Sequence, residues 1–142
     1  DLLLTVGDNP VSLDSIEHKI LRPMGEPRIH FAIVCASIGC PRLLNEAYVP
    51  SNVDEQLTNN TFIFFADGNK FQFDARRRQF VFSDILDWFK EDFGANTAER
   101  LRWIAPYLPN PAAEQAAAAG QGTVRYFNNY DWGLNDQAER TN

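Results

Sequence analysis

Both cysteines of the chain fall in one short segment, Cys35-Ala36-Ser37-Ile38-Gly39-Cys40-Pro41-Arg42, with four residues between them. The thiolate is the reactive form of cysteine, and helix N-termini favour it. Gly39 permits a tight turn and Pro41 suits a first helical position, so the spacing predicts Cys40 near a helix start. Cys40 is the nucleophile candidate, and the base would be His30 or His18, the two histidines of the chain. Glu17, Asp14 or Asp131 could orient the imidazole, as the third member of such a group does. Ser37 could donate within the same loop, and backbone N–H groups of the 39–42 turn could hold an oxyanion. That arrangement describes a thiol hydrolase or acyltransferase.

The same residues support simpler chemistry. In an exported protein the pair could close a disulfide across the turn, given suitable geometry. In a cytosolic one both could be buried thiols. A zinc site from two Cys and two His lacks a finger spacing, because both histidines precede the C-x₄-C, so no metal is assigned. The spacing also departs from the C-x-x-C of thioredoxin-like redox proteins. No cofactor is implied.

The elements that must position these groups come next. Ser12 has the character of an N-cap, and Leu13, Ile16 and Ile20 follow at helical spacing as far as Arg22. That periodicity puts Glu17 on the buried side, where a carboxylate must gain a proton or find a partner. Asp14 and His18 can meet at i,i+4 on the flank. Residues 28–34 read as a central strand apolar on both faces, which buries His30 and makes Glu17 its nearest candidate partner. A structural His–Glu bond accounts for both residues without catalysis.

Further on, residues 62–66 and 70–73 read as two strands around an Asp67-Gly68 hairpin turn. Phe71, Phe73, Phe80 and Phe82 alternate with polar residues, with Arg76-Arg77-Arg78 as a solvated turn between them. Ser83 is placed as the cap of a helix bearing Ile85, Leu86, Trp88, Phe89 and Phe93, which Gly94 ends. Asn96 caps a further helix, and the Ala-rich stretch that Asn110 could cap and Gly120 could end reads as a short exposed helix or a loose connection. Residues 123–128 read as a further strand.

The 142 residues are one domain's length and bury roughly two-thirds of the unfolded surface. At 44% hydrophobic and 13% aromatic residues, the chain is too apolar to be disordered. No apolar run approaches the roughly 20 residues of a membrane span. A net charge of -6 argues against a general nucleic-acid binder, which needs a basic surface.

Several linked motifs resemble the domain of unknown function 547 (DUF547) family. They are Ser12-Leu13-Asp14-Ser15-Ile16-Glu17-His18-Lys19-Ile20-Leu21-Arg22 and Pro27-Arg28-Ile29-His30-Phe31-Ala32-Ile33-Val34-Cys35-Ala36-Ser37-Ile38-Gly39-Cys40-Pro41. Ala47-Tyr48, the 83–93 segment with Trp88, Asp92 and Phe93, and Tyr130-Asp131-Trp132-Gly133-Leu134-Asn135 extend the likeness over most of the chain. The resemblance implies no established activity. Bacterial members often carry export signals, which implies an extracytoplasmic setting, periplasmic or secreted. Plant members serve as intracellular interaction partners and tend to differ at the positions of Cys35 and Cys40, which speaks against a nucleophile shared by the family. The upstream helical segment usual in the family has no counterpart before Ser12, so residues 1–142 read as the larger, C-terminal part of such a domain.

The expectation is an α+β domain, a small and mostly antiparallel sheet packed against several helices. The sheet would include the strand ending at Cys35, the Phe-rich hairpins and residues 123–128. The leading functional reading is an extracytoplasmic binding or interaction domain for an unidentified protein or small molecule. Glu17, His18, His30, Cys35, Cys40 and Asp131 would form a polar cluster, partly structural, with Ser37, Arg22, Asp131 and Asn135 as candidate ligand contacts. The thiol enzyme built on Cys40 is the alternative. A missing N-terminal segment or second chain is expected to cover apolar surface around Ile16 and Ile20.

Overall fold

A computed structural model describes residues 3–136. The chain opens with an antiparallel hairpin, β1 (Leu3–Val6) and β2 (Asn9–Ser12), turned through Gly7 at φ +61°. Ser12 then caps α1 (Leu13–Ser15), its Oγ accepting from the Ser15 N–H at 3.0 Å. The helix widens into a π-helical segment, Ile16–Leu21, and tightens into a 3₁₀ turn, Arg22–Met24. No residue of this segment is fully buried, and Leu13 and Ile20 are exposed, so the apolar stripe is only partly covered.

Residues 28–34 do not form the expected strand. Pro27–Phe31 is a 3₁₀ helix, started by Pro27 and by the Glu26 carboxylate, which accepts from the Arg28 N–H at 3.1 Å. Ile29, His30 and Phe31 are buried in succession, which a strand with two opposed faces matches less well than a tight helical turn inserted into the core. Arg28 anchors that turn: its guanidinium donates to Glu26 and to Asp54 and Thr58 of α2 (Val53–Ala66). α2 also absorbs residues 62–66, read above as a strand, and Asp67-Gly68 leads from helix to strand rather than turning a hairpin. Phe64 and Phe65 face the core while Phe62 and Ile63 are exposed, a division that follows helical spacing.

The second sheet has the order β3-β4-β5. β3 (Phe71–Asp74) and β4 (Gln79–Phe82) pair antiparallel around the arginine turn, and β5 (Thr123–Tyr126) pairs parallel to β4. A parallel neighbour demands a crossover, here supplied by helices. These are α3 (Ile85–Trp88), α4 (Lys90–Phe93), α5 (Thr97–Ile104) and α6 (Pro111–Ala118). Residues 83–93 thus form two short helices with Asp84 rather than Ser83 at the first cap position. Asn96 and Asn110 cap α5 and α6 as expected. Gly122 is required at φ +139°, where a Cβ would lie 2.5 Å from the Phe80 ring. The fold is α+β, with two small sheets.

Between sheet and helices lies an aromatic core. Phe31, Phe65, Phe80 and Phe82 are at most 1% exposed, and Phe31 packs with ring centroids 4.7 to 5.9 Å from those of Phe64, Phe65 and Phe93. Truncating Phe31 would remove the side chain that joins the 3₁₀ turn to α2 and α4. F31A is expected to cost about 3–5 kcal/mol, checked by urea unfolding monitored by circular dichroism.

Candidate functional site

His30 sits at the centre of a polar network built on the 3₁₀ turn. Its partner is Asp92 of α4, not Glu17: Nε2 lies 2.8 Å from Asp92 Oδ2. The Arg22 guanidinium grips the same carboxylate with two bonds, Nε to Oδ2 at 2.7 Å and Nη2 to Oδ1 at 3.0 Å. Arg22 also lies over the Phe89 ring, 5.2 Å from its centroid, and His30 stacks on that ring at 4.1 Å. Arg22, a candidate ligand contact from sequence, is therefore committed to an internal ion pair. Its Nη1 further donates to His18 Nδ1 at 3.2 Å, while His18 Nε2 stands 3.6 Å from Asp14 at the exposed end of the chain of contacts.

The electrostatics of this network assign protonation states. Arg22, by hydrogen bonding above all, holds the Asp92 carboxyl below the usual carboxylate range against its partial burial. Burial pushes the His30 imidazolium down, outweighing the attraction of Asp92, so His30 is neutral at pH 7. An ionised carboxylate only accepts, hence the His30 proton is on Nε2 and Nδ1 is the acceptor. Glu17 is half-buried and its carboxylate has no hydrogen bond among the described residues, though it feels the charge of Arg22.

Cys35 and Cys40 form a disulfide, with Cα atoms 6.3 Å apart. Residues 41–52 hold no helix, so Cys40 does not lie at a helix start, and no free thiol stands beside His30 in this state. The loop amides are also occupied. Ile38 N–H donates to Gly133 O at 2.9 Å, Gly39 N–H to Asp131 O at 2.8 Å and Cys40 N–H to Ser37 O at 3.1 Å, so the 39–42 turn does not present the Gly39 and Cys40 donors to an oxyanion. The C-terminal segment is stapled along the loop by these bonds and by Asn135 N–H to Ala36 O. Tyr130 lies flat on Gly39, where a Cβ would come within 2.6 Å of its ring. From below, the buried Lys70 ammonium donates to the Ile38 and Gly39 carbonyls at 2.9 and 2.6 Å, and burial lowers its pKa.

Two clefts border Tyr130. One, of about 260 Å³, is lined by Glu17, His30, the disulfide, Trp88, Phe89, Tyr130 and Trp132. Its rim is aromatic: Trp88 and Trp132 stack at 5.7 Å and are 48% and 69% exposed, with Tyr130 against both. The other, of about 580 Å³, is polar and is lined by Asp67, Lys70, Asp84 and Asp131 among others. Asp131 thus faces a different cleft from His30, and its carboxylate accepts from the Gly133 N–H at 2.8 Å. Of the expected cluster, Glu17, His30, Cys35 and Cys40 come together, His18 joins through Arg22, and Asp131 does not. Ser37 is buried under the disulfide, and Asn135 lies on the backbone staple. Asp92, Tyr130, Trp88 and Lys70 were not singled out by chemistry; for the first three, the family motifs alone pointed to them.

No group of three or more metal-ligating side chains occurs among the described residues, and no helix there is long and apolar enough to cross a membrane. Comparison with known proteins finds one family model, described as protein of unknown function, DUF547, matching residues 2–65. No curated protein and no solved structure matches.

Because the folded state holds His30 neutral, it binds fewer protons than the unfolded chain once pH falls below about 6.5. The stability contributed by neutral His30 is complete above that pH and is lost as pH falls toward the depressed folded value. Asp92 adds its own loss below about pH 4, through its lowered folded value. In H30F the first of these two components of the stability–pH curve is expected to vanish while the acid-limb loss persists, as read by urea unfolding from pH 3 to 8.

Proposed function

We propose that this chain, whose residues 2–65 match the model of the DUF547 family, is an extracytoplasmic binding domain whose ligand enters the aromatic cleft beside the disulfide. The observation that carries the reading is the rim of that cleft. Trp88 and Trp132 present large ring surfaces to solvent, next to a half-buried Glu17 whose carboxylate has no hydrogen bond among the described residues. Aromatic faces beside a few fixed polar groups are the usual composition of a small-ligand site. The polar network beneath is structural: with Asp92 held by Arg22 and His30, and Arg22 by Asp92 and His18, it fixes the floor.

The chemistry of the lining selects the ligand class. A ring or apolar group packs on the tryptophans, while a cationic or N–H donor group reaches Glu17 and gains from the negative ring faces. The setting outside the cytoplasm rests on the disulfide, since such bonds persist in oxidising compartments.

Tryptophan fluorescence tests this directly, with benzylammonium as probe and benzyl alcohol as its uncharged counterpart. Benzylammonium is expected to bind more tightly, W132A to weaken both about tenfold, and E17Q to remove the preference between them. Equal affinities in the unmodified chain, or binding indifferent to W132A, would place the ligand elsewhere.

A further inference from the structure

We infer that the Cys35–Cys40 bond is a thiol–disulfide exchange site, in which an incoming thiol attacks Cys35 and Cys40 leaves as the thiolate. The two sulfurs are placed unequally. Cys40 is buried at 8% exposure, whereas Cys35 is exposed at the edge of the aromatic cleft. Three donors converge on Cys40 Sγ: the Cys35 backbone N–H at 3.0 Å, the Tyr130 hydroxyl at 3.2 Å and the Ser37 hydroxyl at 3.4 Å. A disulfide sulfur is a weak acceptor and gains little from them. A thiolate is a strong one, so the same donors take full effect only when the bond opens.

The two hydroxyls also stand 3.0 Å from each other and 3.2 Å (Ser37) and 3.7 Å (Tyr130) from Cys35 Sγ, and each has a single proton to give, so in the disulfide state one of them is spent on the other. The backbone N–H is what breaks the tie, since it serves Cys40. A leaving group stabilised in this way departs faster, and access decides which sulfur is attacked. Both criteria select the same direction. The cradle does not depend on the S–S bond: the loop is held by the bonds to Asp131 and Gly133 and by the Lys70 ammonium on the Ile38 and Gly39 carbonyls. Lys70 brings positive charge under the loop, with Asp67 and Asp131 beside it, while Glu17 and His30 face the sulfurs' cleft.

The step balances with a thiol as co-reactant. The thiolate RS⁻ forms a bond to Cys35 Sγ as the Cys35–Cys40 bond breaks, and the electron pair leaves on Cys40. A second thiol attacks the mixed disulfide, releasing RSSR and the Cys35 thiol. The protein gains two electrons and two RSH are oxidised to RSSR.

The test uses the full chain and reduced glutathione. After brief exposure and an acid quench, peptide mapping should find glutathione on Cys35 and an alkylatable Cys40. Glutathione on Cys40, or no exchange until the chain is denatured, overturns the assignment. In parallel, the thiolate absorbance of C35S at 240 nm is expected to titrate at least one unit below the ordinary thiol value of about 8.5. Y130F and S37A should each raise that midpoint. The dithiothreitol-reduced unmodified chain gives the same titration if C35S fails to fold. A midpoint at or above about 8.5, or one unmoved by both substitutions, overturns the proposal.

Discussion

A histidine cannot be taken into an aromatic core without a partner, and the answer to that constraint organises the molecule. His30 lies among Phe31, Phe89 and Phe93, and the acceptor it needs arrives 62 residues later in Asp92. A carboxylate at that depth needs its own counter-charge, which Arg22 delivers from the opposite direction in sequence, 70 residues away. One chain of contacts thereby ties the N-terminal helical segment, the 3₁₀ turn and α4 together. Breaking any link strands a charge or a buried ring nitrogen, which is far more costly than an exposed pair would suggest. The cleft floor is built on the same contacts.

Local signals were legible where one residue decides the outcome. Ser12, Asn96 and Asn110 cap helices as their side chains dictate, and Phe71, Phe73, Phe80 and Phe82 alternate on a true hairpin. The α+β class followed from those elements. Where an apolar run was short, periodicity misled: residues 28–34 are apolar on every side because the segment is surrounded, not because it is a strand. Residues 62–66 look the same in isolation and belong to the end of a long helix, since no Gly or Pro interrupts 53–66.

The site was legible as a set of residues more than as a set of contacts. Glu17, His30 and both cysteines do meet at one cleft, but His30's partner was misassigned because nearness in sequence favoured Glu17, whereas the pairing is set by how α4 crosses the turn. Tyr130 and Lys70 carry no sequence signature of their role. Each acts on backbone or sulfur of a loop far away, Tyr130 through a glycine that leaves room for its ring and Lys70 through two carbonyls.

The family likeness detected over residues 2–65 and the physical unit are different things. His30 lies within that stretch, yet Asp92 does not. The cysteine loop lies within it as well, but Lys70 and residues 130–135, which hold the loop from below and from the side, come after it. A fragment ending at residue 65 would keep the matched stretch and lose Asp92, Lys70 and residues 130–135, which satisfy its polar groups from outside. The stretch that the family model matches thus depends for its shape on residues beyond it.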